Sequence, residues 1–433
     1  MIRPIQKITV ILTIISYLLM TSPIFSFPTP MIPSTGSWST KASMTTARAE
    51  AMSGAINGLL YVVGGEDGIN SLNVLEVYDP TTNNWTAKAP MPTARHGAAA
   101  GVINGKLYVA GGSSIPANNL FSTLEVYDPA TDSWATKAPM LTALTVPGFG
   151  VINGKFYMVG GGSPVRNNIL EVYDPVADTW AIKAPMPTIR AYSAAAEING
   201  KLYVVGGSTP TVLTGALEIY DPVTDAWTSK TPMPTPRYVH VVAAINGQLY
   251  SIGGDPSNSG FPSESAINEV YDPATDTWSN EVAMPTARWG ITGGVIGGTI
   301  YVVGGAIGLT NGANGTPQTI NEAFTKGDTT PPVISNTSTN PSMLWPPNHK
   351  MRDVLINYTA TDDSGSPACT LSVTNNEGTP ADWEIIDAHH VRLRAERAGS
   401  GNGRIYTITI TCTDSSNNSS SQAVTVIVPH DQR

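Results

Sequence analysis

WTAKAPMPTARHGAAAGVINGKLYVAGG, residues 85–112, decides the fold, because the chain repeats its skeleton six times. Its marks are Trp85, Lys88, Pro90-Met91-Pro92, Arg95, the Asn104-Gly105 pair and the glycine pair Gly111-Gly112. Tryptophan recurs at 38, 85, 134, 180, 227 and 278, and a glycine pair starts at 64, 111, 160, 206, 253 and 304. Each Trp precedes its glycine pair by 26 residues, while successive Trp residues stand 46 to 51 apart. A period of that length marks a repeat architecture.

Within one unit, a small-residue run from Gly97 to Ile103 ends at Asn104-Gly105. Asn-Gly favours a hairpin turn, since both residues tolerate positive φ. Leu107 to Ala110 returns as a second strand, and Leu124 to Tyr127 forms a third. Pro129 ends that strand because it cannot donate to a ladder. A fourth begins near Trp134, so each unit predicts a four-stranded antiparallel sheet. Length varies only between the glycine pair and the third strand. Such insertions collect on one face of a repeat protein, often the binding face. Trp38 has no third strand before it, and the last unit, ending at Phe324, has no Trp strand after it. The Trp38 segment therefore completes the last sheet and closes a ring, which removes the open ends.

The glycine pair followed by Tyr and Trp seven apart resembles the kelch repeat, over residues 36–326. That resemblance implies an all-β fold, a six-bladed kelch-type β-propeller closed by an N-terminal strand. Phe324 replaces the usual Tyr. Glycines beside a large Trp are expected to give its ring room at a strand end.

Residues 327–332 read as a linker, and 333–433 as a second β domain. Arg404 to Thr413 alternates strictly, with Tyr406, Ile408, Ile410 and Cys412 on one face. Further strands are expected over 353–361, 369–373, 391–395 and 422–428. The pattern suggests an immunoglobulin-like β-sandwich of the wider kind found on bacterial secreted proteins. Cys369 shares a face with Leu371 and Val373, which predicts a Cys369–Cys412 disulfide; two buried thiols are the alternative.

At the other end, Arg3 and Lys7 precede an apolar core, Ile8 to Met20. Residues 1–26 read as a secretory signal peptide and 27–35 as a linker. The core is too short to span a bilayer, which needs about 20 residues. A secreted or cell-surface protein is expected, with no transmembrane segment after signal removal, and a monomer. A net charge of −9 argues against nucleic acid, which needs a basic footprint.

Arg48, Arg95, Arg190, Arg237 and Arg288 each stand ten residues after a Trp, and Leu144 breaks the series. The kelch likeness puts this position at the mouth of the central channel, where guanidinium groups would hold carboxylates. The alternative is that each Arg pairs with an acidic neighbour or caps carbonyls between blades. Glu50, His96, Tyr192, Tyr238, His240 and Trp289 lie around that position and suit sugar binding or acid–base work. Glu76, Glu125, Glu171, Glu218, Glu269 and Glu322 read as outer-strand charges set against lysines. No cofactor or metal is expected. Galactose oxidase, a copper enzyme on a kelch-like propeller, needs a cysteine crosslinked to tyrosine, and this propeller has none. Asp328, Asp362, Asp363 and Asp414 are oxygen donors of the calcium type, but loop acids are common without an ion.

The first functional reading is a recognition protein that binds an acidic glycan or protein ligand at the loop face. An exported carbohydrate-active enzyme of sialic-acid mutarotase type is the second, and a non-catalytic scaffold the third. Fold alone does not choose between them.

Overall fold

The computed structural model describes residues 36–430 apart from 163–164, 258–262, 309–314, 329, 363–364, 378–381 and 399–402. The signal segment and the linker before residue 36 lie outside the described residues. No α-helix occurs among the described residues, and none is long and apolar enough to cross a membrane.

Six four-stranded antiparallel sheets make the blades. Blade one comprises Met52–Ile56, Leu59–Val63, Leu75–Asp79 and Asn84–Lys88. Blades two to five repeat this pattern, starting at Ala99, Gly148, Ala194 and Val241. Blade six takes Thr292–Ile296, Thr299–Val303 and Asn321–Thr325, and its outer strand is Ser37–Lys41. Trp38 is in register with Phe324, and their rings lie 5.3 Å apart. The ring therefore closes through a sheet sewn from both ends of the repeat region.

Local sequence explains each strand's place. Inner strands are rich in Ala and Gly because they are crowded by the next blade. A Cβ on Gly101 would lie 2.7 Å from Val151 and 2.9 Å from Phe156. Second strands such as Leu59–Val63 are apolar on both faces because a blade lies on each side. In the exposed fourth strands the Trp is half-covered, as are the closing lysines Lys88 and Lys137. Its ring lies about 5 Å from the third-strand Tyr, as in Tyr78–Trp85 at 5.2 Å. Its Nε1–H donates to a carbonyl of the preceding repeat in all six cases, from Trp85 to Ala42 (2.7 Å) round to Trp38 to Val282 (2.9 Å).

The glycine pair serves a different purpose from the one expected. What presses on it is backbone, not the Trp ring. A Cβ on Gly111 would meet the Leu144 carbonyl at 2.5 Å, and one on Gly112 the His96 carbonyl at 2.8 Å. Both glycines have positive φ, 71° and 92°. The second glycine's N–H donates to the carbonyl at the arginine position of the next repeat, as from Gly112 to Leu144 at 2.7 Å. The pair is a blade-to-blade seam.

Beyond the propeller, two more sheets enclose one core. One sheet orders Val333–Asn340, Met351–Thr361, His390–Arg394 and Trp383–Asp387, and the other Ala368–Asn375, Arg404–Thr413 and Ser419–Val428. Tyr406, Ile408, Ile410 and Cys412 point inward as the alternation predicted. Cys369 and Cys412 face each other in register and form the expected disulfide. Val333–Asn340 and Trp383–Asp387 were not anticipated, the former because its sequence is largely polar.

Candidate functional site

The five arginines occupy equivalent places, but not at the mouth. Arg48, Arg95, Arg190, Arg237 and Arg288 are all fully buried. Each meets a third-strand glutamate of its own blade. Arg95–Glu125, Arg190–Glu218, Arg237–Glu269 and Arg288–Glu322 lie 2.5 to 2.9 Å apart, and Arg48 pairs with Glu76 in the same way. The guanidinium groups also donate to carbonyls around the glycine pair, as Arg95 Nη1 does to Gly111 (2.9 Å) and Thr123 (3.1 Å). This is the pairing alternative, and it leaves none of these five guanidinium groups for a ligand. It also corrects the reading of the glutamates, all six of which are buried and not outer-strand charges, five of them as partners of arginine. Desolvation lowers all five arginines, Arg48 and Arg190 to about 10.

Two residues further on, each unit reaches the axis. Glu50, Gly97, Val146, Tyr192, Val239 and Gly290 all have positive φ, between 48° and 62°. Each N–H in this set donates to the carbonyl of the equivalent residue in the preceding blade. Gly97 donates to Glu50 (3.0 Å), Val146 to Gly97 (2.6 Å), Tyr192 to Val146 (2.8 Å), Val239 to Tyr192 (3.4 Å), Gly290 to Val239 (3.0 Å) and Glu50 to Gly290 (2.8 Å). The six bonds form a closed hoop. Two β-branched valines in the left-handed region are unusual. The hoop holds them there.

An axial chamber of about 100 Å³ lies at the hoop, lined by residues of all six blades. Glu50, Tyr192, Ser193 and His240 supply its polar wall, and Phe149 and Ile291 are among its apolar lining. Glycines on both sides of Glu50 make room for its side chain. A Cβ on Gly97 would come 3.3 Å from Glu50 Oε2, and one on Gly290 3.5 Å from its Cγ. Burial, then the neighbouring Glu66, pushes the Glu50 carboxyl up to about 7. Glu50 still keeps partial solvent access. Glu66 is itself raised, chiefly by burial. Burial and the nearby Glu50 push Tyr192 up to about 12, against the pull of Arg166. The Tyr192 and Tyr238 rings pack edge to face at 5.5 Å.

Of the other sequence candidates, His240 lines the chamber and His96 and Trp289 lie outside its lining. His96 is lowered by burial, and its two nitrogens meet Ser71 Oγ (3.0 Å) and Ser113 Oγ (3.2 Å). Trp289 is buried against Ala49 and Ala306. Burial, Arg237 and Arg190 hold His240 well below its ordinary range, hence neutral.

A second pocket, about 370 Å³, shares Val146 and Tyr192 with the chamber. Leu120, Thr145, Arg166 and Pro210 complete much of its wall. These residues come from the variable loops and the residues that bridge to them, so this is the loop face. Arg166 Nη2 donates to Ser208 Oγ at 3.1 Å, and its Nε has no protein partner among the described residues. Sequence reasoning missed Arg166 because it falls outside the repeat register. The available signal was an arginine inside a loop already marked as the variable face. Of the four aspartates, Asp328, Asp362 and Asp414 bring oxygens within 4.8 Å of one another, and Asp363 is outside the described residues.

These seams and sheets define a kelch-type propeller. The Attractin/LZTR1 beta-propeller family profile matches residues 60–313, and the chain belongs to that family. Among solved structures, that of YjhT is similar with a TM-score of 0.56 at 18% identity, covering 66% of this chain and 97% of its own. At that identity the likeness speaks to the fold. No curated protein matches the chain significantly.

Proposed function

We propose that the protein is a secreted or cell-surface recognition protein whose propeller binds an acidic glycan in the Arg166 pocket. The C-terminal sandwich, read as an immunoglobulin-like module, positions it. The observation that carries this reading is Arg166 itself. Its guanidinium stands beside Tyr192, with Nε unengaged, in a pocket whose volume suits one sugar unit. A guanidinium accepts a carboxylate in two parallel hydrogen bonds, and an aromatic ring covers a sugar's apolar face. The buried arginine series contributes to stability alone.

The carbohydrate-active enzyme remains a second reading, favoured by Glu50. A carboxyl titrating near neutrality beside a pocket is suited to proton transfer. The arginines that would have held a sugar acid at that carboxyl are turned away from it.

The test is a glycan screen with calorimetry on the intact protein, its Arg166→Ala variant and its Arg95→Leu variant. Binding of uronic-acid-bearing glycans lost in Arg166→Ala supports the reading. Equal binding by that variant, or no acidic glycan bound by any form, overturns it. Turnover of a bound sugar acid that vanishes in Glu50→Gln would move the protein to the second reading.

A further inference from the structure

Two side chains of the axial chamber have polar atoms that the fold leaves unsatisfied. His240 is 5% exposed and Ser193 is 6% exposed. Neither ring nitrogen of His240 and not the hydroxyl of Ser193 has a hydrogen-bond partner in the protein, among the described residues. Buried polar atoms are ordinarily paired, and an unpaired one costs its full desolvation. His96 shows the ordinary case, with a serine on each nitrogen. His240 is no packing accident either. Its ring lies on the backbone of Gly206, where a Cβ would meet its Cε1 at 2.6 Å. The glycine leaves room for that ring, and His240 lines the chamber.

We propose that the axial chamber is a second binding site, for an uncharged alcohol group, held by Ser193 and His240. The occupant must both donate and accept. A neutral imidazole offers one donor and one acceptor, and a serine hydroxyl offers both. An ammonium is disfavoured because the adjoining Arg190 and Arg237 already oppose positive charge at His240. A carboxylate is disfavoured by Glu50 in the same wall. The volume admits a hydroxymethyl group. Entry is past Glu50 and Tyr192, both partly exposed. The inference does not depend on the Arg166 reading, since Arg166 does not line this chamber.

Glycerol is the probe. Ring nitrogens of the intact protein, labelled with 15N-histidine, are followed by NMR as glycerol is added. His240→Gln identifies the His240 signals. The expected result is a saturable shift of those signals towards one fixed tautomer. Ser193→Ala should weaken it about ten-fold, the effect of one hydrogen bond. Arg166→Ala should leave it unchanged. No saturable shift at any glycerol concentration that leaves the protein folded, or a shift that Ser193→Ala does not alter, overturns the proposal. Should His240→Gln fail to fold, Ser193→Ala still decides, because it removes one atom and adds none. If the chamber takes no alcohol, that variant gains the same thermal stability with and without glycerol.

Discussion

Glu171 has Leu144 at the repeat position that gives the other five glutamates an arginine. Both are fully buried. Glu171 is held by the Leu141 N–H (3.0 Å) and by Thr142, and burial raises its carboxyl above the ordinary value. Blade three is therefore a natural single variant of the seam, and its neighbours can be turned into it.

Arg95→Leu copies blade three into blade two. It leaves Glu125 without its cation, and breaking a buried pair in this way costs about 3–5 kcal/mol. Arg95→Leu with Glu125→Leu removes both charges and should recover most of that loss, because a well-packed apolar pair is often no worse than a buried ion pair. Denaturant unfolding of both variants checks this. A double variant as weak as the single one would mean that the carbonyl contacts of Arg95, not the ion pair, hold the seam.

Glu171 and Glu50 also set a pH dependence. A carboxyl raised in the folded state holds its proton more tightly there than in the unfolded chain. Its stabilising effect is full below the ordinary carboxylate value, and is lost as the pH rises through the raised one. For Glu50 the window runs from about 4.5 to about 7. Glu50→Gln should thus be more stable than the parent at pH 8, by about 2 kcal/mol after allowance for its solvent access, and no different at pH 4. Melting curves across that range read the difference, and parallel curves would show that Glu50 titrates normally. Glu171→Gln should move in the same direction.

The closing blade makes a mirror-image prediction. In four blades the third-strand Tyr hydroxyl donates to an Asp two residues before the Trp, as Tyr127 does to Asp132 at 2.6 Å, and blade one uses Asn83. Blade six has Phe324 and, in place of the acceptor, Gly36. Tyr127→Phe should cost about 1 kcal/mol, a net hydrogen bond. Phe324→Tyr adds the missing hydroxyl where the repeat acceptor is Gly36, beside the Glu281 carboxylate, and should also destabilise, by about 1–3 kcal/mol, unless Glu281 accepts from it. Chemical denaturation of the two variants measures both. A stabilising Phe324→Tyr would place another acceptor at the closure.

Cys369→Ser with Cys412→Ser opens a link across 43 residues. The loss should be about 2–4 kcal/mol for the sandwich. Calorimetry should show it in one transition, with the propeller transition unmoved. A shift of both would show that the two parts unfold together.

The architecture was legible because the seams are backbone, and backbone seams demand glycine at fixed spacing. The Gly111-Gly112 pair was found for that reason, although its physical cause was misread. Charge pairing was harder. Glu76 shares a strand face with Tyr78, and polar residues in strands are expected to look outward. Here both faces of the third strand are covered, so the glutamate turns in to its arginine. Leu144 hid the rule further, since the arginine series breaks there while Glu171 persists. Arg166 and Ser193 carry no periodic signal at all. Their roles come from loop and axis geometry, which spacing does not encode.

A hoop whose every link is held by its neighbour has no first member from which to fray. Cutting the chain at an Asn-Gly turn such as Asn153-Gly154 and joining the termini elsewhere should leave all six links intact. Trimming the few residues around Trp38 would instead strip blade six of its outer strand, leaving Glu50–Gly290 and Ser53–Thr292 to join the first blade to the last.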